Sequence, residues 1–169
     1  MNKSIHQVSW VVMGVSGCGK SSIGAQLAAA LHLPFLEGDD YHSDENVAKM
    51  SAGTPLTDAD RSQWLLALHA EIRDARMRQS GVVLSCSALK RRYRDLLRSA
   101  DPGLRFAHLN GSRALIEERM AARANHYMPT SLLDSQFATL EPLQADEAGI
   151  VLDIRKAPAA LVQEILQSA

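Results

Sequence analysis

Gly14-Val15-Ser16-Gly17-Cys18-Gly19-Lys20-Ser21 decides the fold, because it matches the pattern of Gly, any four residues, then Gly-Lys-Ser. The apolar run Val8–Met13 precedes it and has the length of a buried strand. After it, Ile23, Leu27 and Leu31 fall four residues apart on one face of a predicted helix. Strand, glycine-rich loop and helix together predict a phosphate-binding loop rather than an ordinary glycine-rich turn.

The residue types of this loop suit the triphosphate of a nucleotide. Glycines permit backbone angles that are closed to other residues, so that successive N–H groups can point at phosphate oxygens beside the positive end of the helix. Lys20 is expected to reach the β- and γ-phosphates of ATP, and the Ser21 hydroxyl is expected to bind Mg²⁺. The predicted ATP-binding residues are Gly14, Val15, Ser16, Gly17, Cys18, Gly19, Lys20, Ser21 and Ser22.

The composition is that of one globular domain, with 169 residues of which 46% are hydrophobic and 22% are charged. A formal net charge of -1 argues against a nucleic-acid or membrane partner held by bulk charge. No apolar run has the length of a membrane span. Cys18 and Cys86 are too few for a disulfide framework or a zinc site, so we expect reduced thiols in a cytoplasmic protein.

An acidic loop, Gly38–His42, follows the second predicted strand, Pro34–Glu37. Ligands of open α/β sheets bind at the carboxyl ends of the strands, so Asp39 and Asp40 are candidates for chemistry. A turn or a helix cap is the alternative role for either residue, because Asp favours both. Two adjacent carboxylates at the end of a strand favour a site.

The rest of the chain continues the alternation of helices and strands. Strands are predicted at 81–86, 105–110 and 149–154, and helices at 43–53, 58–72, 87–98, 113–123, 130–140 and from 158 onward. Five short apolar strands alternating with helices predict an α/β fold, with a five-stranded parallel sheet covered by helices on both faces. Trp64 falls on the apolar stripe of its helix, which favours packing over ligand contact.

Basic side chains mark three further places. Arg61 lies in the first turn of its helix, where the helix dipole disfavours a cation, and this suggests a role in binding an anion. Lys90 and Arg94 lie one turn apart near the end of the third strand, although a solvated basic face is the alternative. Arg119 and Arg123 suit a mobile cover, because phosphoryl transfer needs cations at the developing charge and the exclusion of water.

Several longer segments accompany the phosphate loop and carry a more specific signal. They are Phe35–His42, Asn46–Met50, Pro55–Arg61, Cys86–Arg98, His126–Met128, Leu132–Phe137 and Gln144–Glu147. Together with the loop they resemble the gluconate kinases of the shikimate-kinase-like branch of small P-loop kinases, over nearly the whole chain. Cys18 departs from the Ser or Thr that is usual in that family, but its expected contribution is a backbone N–H.

The resemblance implies a P-loop NTPase fold similar to that of nucleoside monophosphate kinases and shikimate kinases. It implies one domain over 1–169, with an acceptor-binding helical insertion at about 40–80 and a helical lid at about 119–131. It further implies a homodimer that transfers the γ-phosphoryl group of ATP to the 6-hydroxyl of D-gluconate.

The resemblance also assigns roles to residues. Asp39 is expected to act as a base or to orient the acceptor hydroxyl, with Asp40 as the competing choice, and Arg61 is expected to bind the carboxylate. The catalytic set is Lys20, Asp39, Asp40, Arg119 and Arg123, and the substrate-binding set is Asp39, His42, Arg61, Lys90, Arg94, His126 and Gln136. Ser85-Cys86-Ser87 stands where a second, acidic metal ligand is usual, so Mg²⁺ is expected to depend on Ser21, phosphates and water, with Glu37 or Asp39 as further contributors.

Two alternatives stay open at this point. A kinase for another small acceptor, such as shikimate or a nucleoside monophosphate, would keep the fold and change the pocket, although shikimate kinases lack the Cys86–Lys90 segment. A nucleotide-dependent switch or ATPase acting on a protein partner is the second alternative. A switch should hydrolyse ATP slowly without a small acceptor, whereas a kinase should need one.

Overall fold

The structure is a computed structural model that describes residues 7–122 and 131–168. Its strands are β1 (Trp10–Met13), β2 (Phe35–Glu37), β3 (Val83–Ser85), β4 (Arg105–Asn110) and β5 (Gly149–Asp153). These strands of the described residues form a single five-stranded sheet in the order β2-β3-β1-β4-β5, and every pairing is parallel. The parallel sheet predicted from the alternation of strands and helices is therefore confirmed.

Helices connect the strands. They are α1 (Lys20–Leu31), α2 (Asp44–Ser51), α3 (Asp58–Met77), α4 (Arg91–Ala100), α5 (Arg113–Ala121), α6 (Ser131–Thr139) and α7 (Pro158–Ser168), with a short 3-10 helix at Gly38–Tyr41. The Ser43 hydroxyl caps α2 by accepting from the N–H of Asn46, and Thr57 forms a capping box with Asp60 at the start of α3. In the part of the chain that is described, no helix is long and apolar enough to cross a membrane.

The central strand β1 divides its side chains between two hydrophobic cores, because successive residues point to opposite faces of a sheet. Trp10 and Val12 of β1 enter the core that contains residues of α1, α5, α6 and α7. Val11 and Met13 enter the core formed with α3 and α4. Helices therefore cover both faces of the sheet, as the sequence predicts for a buried parallel sheet.

One predicted helix begins later than expected. The sequence predicts a helix from Ser87, but α4 begins at Arg91. Ala88 has a left-handed backbone with φ of 45°, which is not the backbone of an α-helix. Arg94 Nη1 donates to the carbonyl of Ala88 at 2.9 Å and to that of Leu89 at 3.4 Å. These carbonyls point at a side chain instead of along a helix axis, and the segment remains a loop.

The strand order brings three loops to one edge of the sheet. β1 is central, with β3 and β4 on either side, so the phosphate loop lies between the segments that follow those strands. The 3-10 helix Gly38–Tyr41 follows β2 at the same edge. α2 and α3 lie within the region that the sequence assigns to an acceptor-binding insertion, whereas most of the predicted lid, 123–130, lies outside the described residues.

Candidate active site

The phosphate loop has a backbone that only glycine allows at its first position. Gly14 has φ of +145°, and a Cβ there would lie 2.8 Å from the carbonyl oxygen of Leu109 and 2.7 Å from Cys18 Sγ. A methyl group at Gly14 would therefore push the loop off the end of β4. The loop is held in place by buried residues, among them Val15 and Cys18, which are each 2% exposed.

The amino end of α1 faces this loop without a side-chain cap. Gly19 is the N-cap residue, and because it has no side chain it cannot accept hydrogen bonds from the first N–H groups of α1. The Lys20 ammonium donates to the carbonyl oxygen of Val15 at 2.9 Å, which places the cation over the loop. Backbone donors, the helix dipole and a cation thus converge where an anion can bind.

The residues beside the loop fit a magnesium ion. The Ser21 hydroxyl donates to one oxygen of the Glu37 carboxylate, and Ser85 Oγ donates to the other at 2.6 Å. Ser85 Oγ also accepts from the Gly38 N–H at 3.1 Å, so the β3 residue orients the carboxylate of β2. Mg²⁺ takes oxygen ligands and keeps waters and substrate phosphates, so one hydroxyl and one carboxylate suffice from the protein. Among the described residues, no group of three or more His, Cys, Asp or Glu could hold a metal alone.

A cleft with about 570 Å³ of atom-free space, open to solvent at its mouth, adjoins the phosphate loop. Its lining brings together five of the residues predicted as catalytic or substrate-binding, namely Lys20, Asp39, His42, Arg61 and Gln136. Apolar side chains complete the wall, among them Met50, Leu56, Leu89 and Leu132. A polar acceptor can therefore bind against both the phosphate loop and a set of charged side chains.

The two adjacent carboxylates of the acidic loop occupy different positions. Both side chains are exposed, but Asp39 lines the cleft, whereas Asp40 is absent from its lining. Burial raises the pKa of Cys86, which follows β3, to about 12, and the negative charge of Asp39 contributes to that rise. Asp39 therefore lies close to the carboxyl end of β3, beside the phosphate loop.

His42 and Trp64 form one side of the cleft. Their rings stack with centroids 4.2 Å apart and an angle of 15° between their planes. The Trp64 indole donates to the Gly38 carbonyl at 2.8 Å, so it also fixes the acidic loop. Burial, followed by the charge of Arg61, lowers the pKa of His42 to about 4, and the imidazole is neutral at pH 7. Trp64 is 3% exposed, as expected for a residue on the apolar stripe of its helix. The sequence pattern does not indicate that Trp64 also lines the cleft.

Arg61 and Gln136 reach the cleft from different helices, α3 and α6. Arg61 Nη1 donates to the Tyr93 hydroxyl at 3.1 Å. The Gln136 side-chain oxygen accepts from the Ser16 N–H at 2.6 Å, which joins α6 to the phosphate loop across 120 residues of sequence. The two residues therefore link the cleft to α4 and to the nucleotide loop, respectively.

The expectation that Arg94 contacts the acceptor is corrected by its surroundings. Its side chain is 0% exposed, and its guanidinium donates to the Glu147 carboxylate at 2.8 and 3.0 Å. Burial raises the pKa of Glu147, but hydrogen bonds from Arg94 and Arg98 and from the Gln144 N–H lower it, with a net value of about 2. Arg94 therefore holds the loop before α4 in place and does not line the cleft.

Lys90 and the predicted lid residues have other positions. Lys90 Nζ contacts Asp58 Oδ1 at 3.1 Å, and Lys90 is absent from the lining of the cleft. Arg119 Nη2 donates to the Ile154 carbonyl at 2.7 Å, at the end of β5. Arg123 and His126 lie outside the described residues, so their roles remain predictions.

Comparison with known proteins identifies the family. A family model described as AAA domain matches residues 10–143. A gluconokinase of Gluconobacter oxydans is 45% identical over 157 residues, which cover 93% of this chain and 88% of that protein. The crystal structure of a gluconokinase from Sinorhizobium meliloti is 46% identical, with a TM-score of 0.88, and covers 96% of this chain and 91% of that one.

A more distant structure supports the fold. The shikimate kinase of Aquifex aeolicus has a TM-score of 0.67 over 95% of both chains at 16% identity, a likeness of fold alone. The P-loop kinase fold predicted from the sequence is therefore confirmed. At these levels of identity and coverage, the chain belongs to the gluconokinase family.

Proposed function

We propose that this protein transfers the γ-phosphoryl group of ATP to the 6-hydroxyl of D-gluconate, giving 6-phospho-D-gluconate and ADP. The observation that carries the proposal is a single cleft lined by the phosphate-loop cation Lys20, the carboxylate of Asp39 and the guanidinium of Arg61. A sugar acid needs a cation for its carboxylate and a carboxylate near its attacking hydroxyl. Relatives named gluconokinase, 44–45% identical, support this acceptor.

The nucleotide binds at the phosphate loop. Its N–H groups and Lys20 hold the β- and γ-phosphates, and the uncapped start of α1 adds a favourable dipole. Ser21 and Glu37 would hold Mg²⁺, and the ion would neutralise charge on the phosphates. The Ser85 hydroxyl keeps the Glu37 carboxylate turned toward Ser21.

The acceptor lies between the phosphate loop and α3. Arg61 binds its carboxylate in a charge-assisted pair, and Asp39 accepts a hydrogen bond from its 6-hydroxyl and aims the oxygen at the γ-phosphorus. Since phosphoryl transfer passes through a loose transition state, Asp39 acts mainly by positioning the nucleophile. Neutral His42 and the Gln136 amide supply hydrogen bonds for the remaining hydroxyls.

The proposal extends to the features that rest on the resemblance. Arg119 and Arg123 close over the phosphates as part of a lid at about 119–131, and His126 contributes to the acceptor site. The chain forms one kinase domain, 1–169, with its acceptor-binding insertion at about 40–80, and it works as a cytoplasmic homodimer. Two buried cysteines with free thiols support a reducing compartment, and light scattering of the purified protein tests the dimer.

A coupled assay of ADP release with Mg-ATP tests the reaction. D-gluconate, shikimate, other sugar acids and no acceptor are compared at equal concentration. We expect ADP release with gluconate alone and one phosphorylated product. Equal activity with several acids would contradict the acceptor, and slow ATP hydrolysis that is indifferent to any acceptor would favour a nucleotide switch.

A further inference from the structure

Arg61 is hydrogen-bonded to a chain of residues that do not line the cleft. The Tyr93 hydroxyl accepts from Arg61 Nη1 at 3.1 Å and donates to Asp58 Oδ1. Tyr93 is 4% exposed and belongs to α4, whereas Arg61 and Asp58 both belong to the first turn of α3. The chain therefore ties the guanidinium that lines the cleft to a neighbouring helix.

The direction of these hydrogen bonds is determined by their chemistry. A phenol has one proton, and a carboxylate such as Asp58 only accepts, so the Tyr93 proton points to Asp58. The oxygen lone pairs of Tyr93 are then available to the guanidinium of Arg61, which only donates. An ionised Asp58 thus fixes the hydroxyl in the one orientation that holds Arg61.

Three cations surround the same tyrosine. Arg61, Lys90 and Arg92 have their charged groups 5.6, 5.7 and 5.7 Å from the centre of the Tyr93 ring. Asp58 also pairs with Lys90 at 3.1 Å and with Arg92. Three positive charges around one carboxylate leave an excess of positive charge beside the cleft. That excess attracts an anionic acceptor, but it also repels Arg61 unless Tyr93 and Asp58 restrain it.

We infer that Tyr93 and Asp58 are positioning residues that hold Arg61 ready for the carboxylate of the acceptor and so favour sugar acids over neutral sugars. The inference rests on the proposed function, in which Arg61 binds that carboxylate. A free arginine side chain loses much rotamer freedom when it binds an anion, and a side chain ordered beforehand loses less. Tyr93 touches no substrate in this arrangement and acts through Arg61.

Tyr93→Phe tests the inference, because it removes the hydroxyl and keeps the ring. We expect the KM for D-gluconate to rise about tenfold, as for the loss of one hydrogen bond to a charged group, with kcat and the KM for ATP within about twofold of wild type. Tyr41→Phe is the matched control, because Tyr41 is a partly buried tyrosine outside the lining of the cleft. We expect this variant to keep kcat and both KM values of the wild type. Asp58 is partly exposed, so Asp58→Asn is a second test that does not depend on the folding of Tyr93→Phe. We expect it to raise the KM for D-gluconate in the same way, with kcat and the KM for ATP little changed.

A double-mutant cycle separates positioning from general support of the fold. If Tyr93 acts through Arg61, the double variant Arg61→Gln, Tyr93→Phe has the gluconate KM of Arg61→Gln alone. If the effects of the two substitutions on the gluconate KM are additive, the inference is wrong but the proposed function stands. The same holds if the KM for ATP of Tyr93→Phe rises as much as its KM for gluconate. A wild-type protein that shows no preference for an acceptor with a carboxylate would overturn the proposed function, and the inference with it.

Discussion

The nucleotide half and the acceptor half of the cleft are built in different ways. The nucleotide half is one continuous stretch, 14–21, whose backbone angles and N–H groups make the site. The acceptor half is assembled from side chains of α2, α3 and α6, of the acidic loop, and of the segment between β3 and α4. Its contacts join residues far apart in sequence, such as Arg61 with Tyr93 and Ser16 with Gln136.

This difference determines how each half should respond to substitution. A backbone site depends on angles and close approaches that few residues allow, so a single added methyl group disrupts all of its donors together. A side-chain site depends on separate contacts, so its variants should lose one property and keep the others. Changes in the acceptor half should therefore separate kcat from the affinities for the two substrates.

The largest effect is expected in the acceptor half, at Asp39, the carboxylate that we propose meets the reacting hydroxyl. Asp39→Asn should lower kcat by about 10²–10⁴-fold, because it removes the carboxylate that positions the acceptor hydroxyl, while ATP affinity is retained. Asp40→Asn is the matched control, since Asp40 is exposed and outside the cleft lining, and should stay within a few-fold of wild type. Stopped-time assays with separate ATP titrations check both, and equal losses in the two variants would contradict the assignment.

In the nucleotide half, Gly14→Ala should lower ATP affinity about a hundredfold or more, because its Cβ would meet Leu109 O at 2.8 Å in addition to backbone strain of about 1–3 kcal/mol. Gly19→Ala is the control. It also has a positive φ, of +98°, but a Cβ there would meet no atom within 4 Å. We expect it to lose about tenfold, from strain alone. Calorimetric titration with ATP measures both, and equal losses would show that strain dominates.

Outside the lining of the cleft, the buried pair Arg94–Glu147 should matter for stability. Glu147→Gln leaves the Arg94 guanidinium, which is 0% exposed, without a counter-charge, and should lower the free energy of unfolding by on the order of 3 kcal/mol. Asp146→Asn removes the adjacent carboxylate, which is 68% exposed and pairs with Arg91, and should change stability little. Urea unfolding of both variants checks this, and a similar small change in the two would contradict a structural role for Glu147.

The smallest effect is a dependence of stability on pH. Burial, and then the charges of Arg94 and Lys20, lower the pKa of His108 to about 4, whereas an unfolded chain protonates near 6.5. The unfolded state binds more protons in this window, so stability should fall as the pH drops from about 6.5 toward 4. His108→Gln should make the fall in Tm between pH 7 and 5 shallower, while His32→Asn, which removes an exposed imidazole, should keep it. An unchanged slope in His108→Gln would contradict the prediction.

Several features were readable from the sequence because their signals are local. The phosphate loop is contiguous, and the apolar run that became β4 has the bounds that the sequence predicts, Arg105–Asn110. The start of α3 at Asp58 also agrees with the helix predicted from residue 58, and Thr57 caps it through a local capping box with Asp60. Which of Asp39 and Asp40 lines the cleft was not readable from the sequence, because it depends on how a 3-10 helix turns two adjacent side chains.

The sequence alone determined the class of fold, the nucleotide loop and the chemical types of residue in the acceptor site, because these depend on short spacings and on hydrophobic periodicity. The tertiary structure decided which cations serve the cleft. Arg61 lines the cleft. Arg94 and Lys90 carry the same charge but do not line it: Arg94 pairs with Glu147, and Lys90 pairs with Asp58. Only packing brings Glu147 to Arg94 across 53 residues, and the burial that makes such a pair necessary is absent from any local pattern.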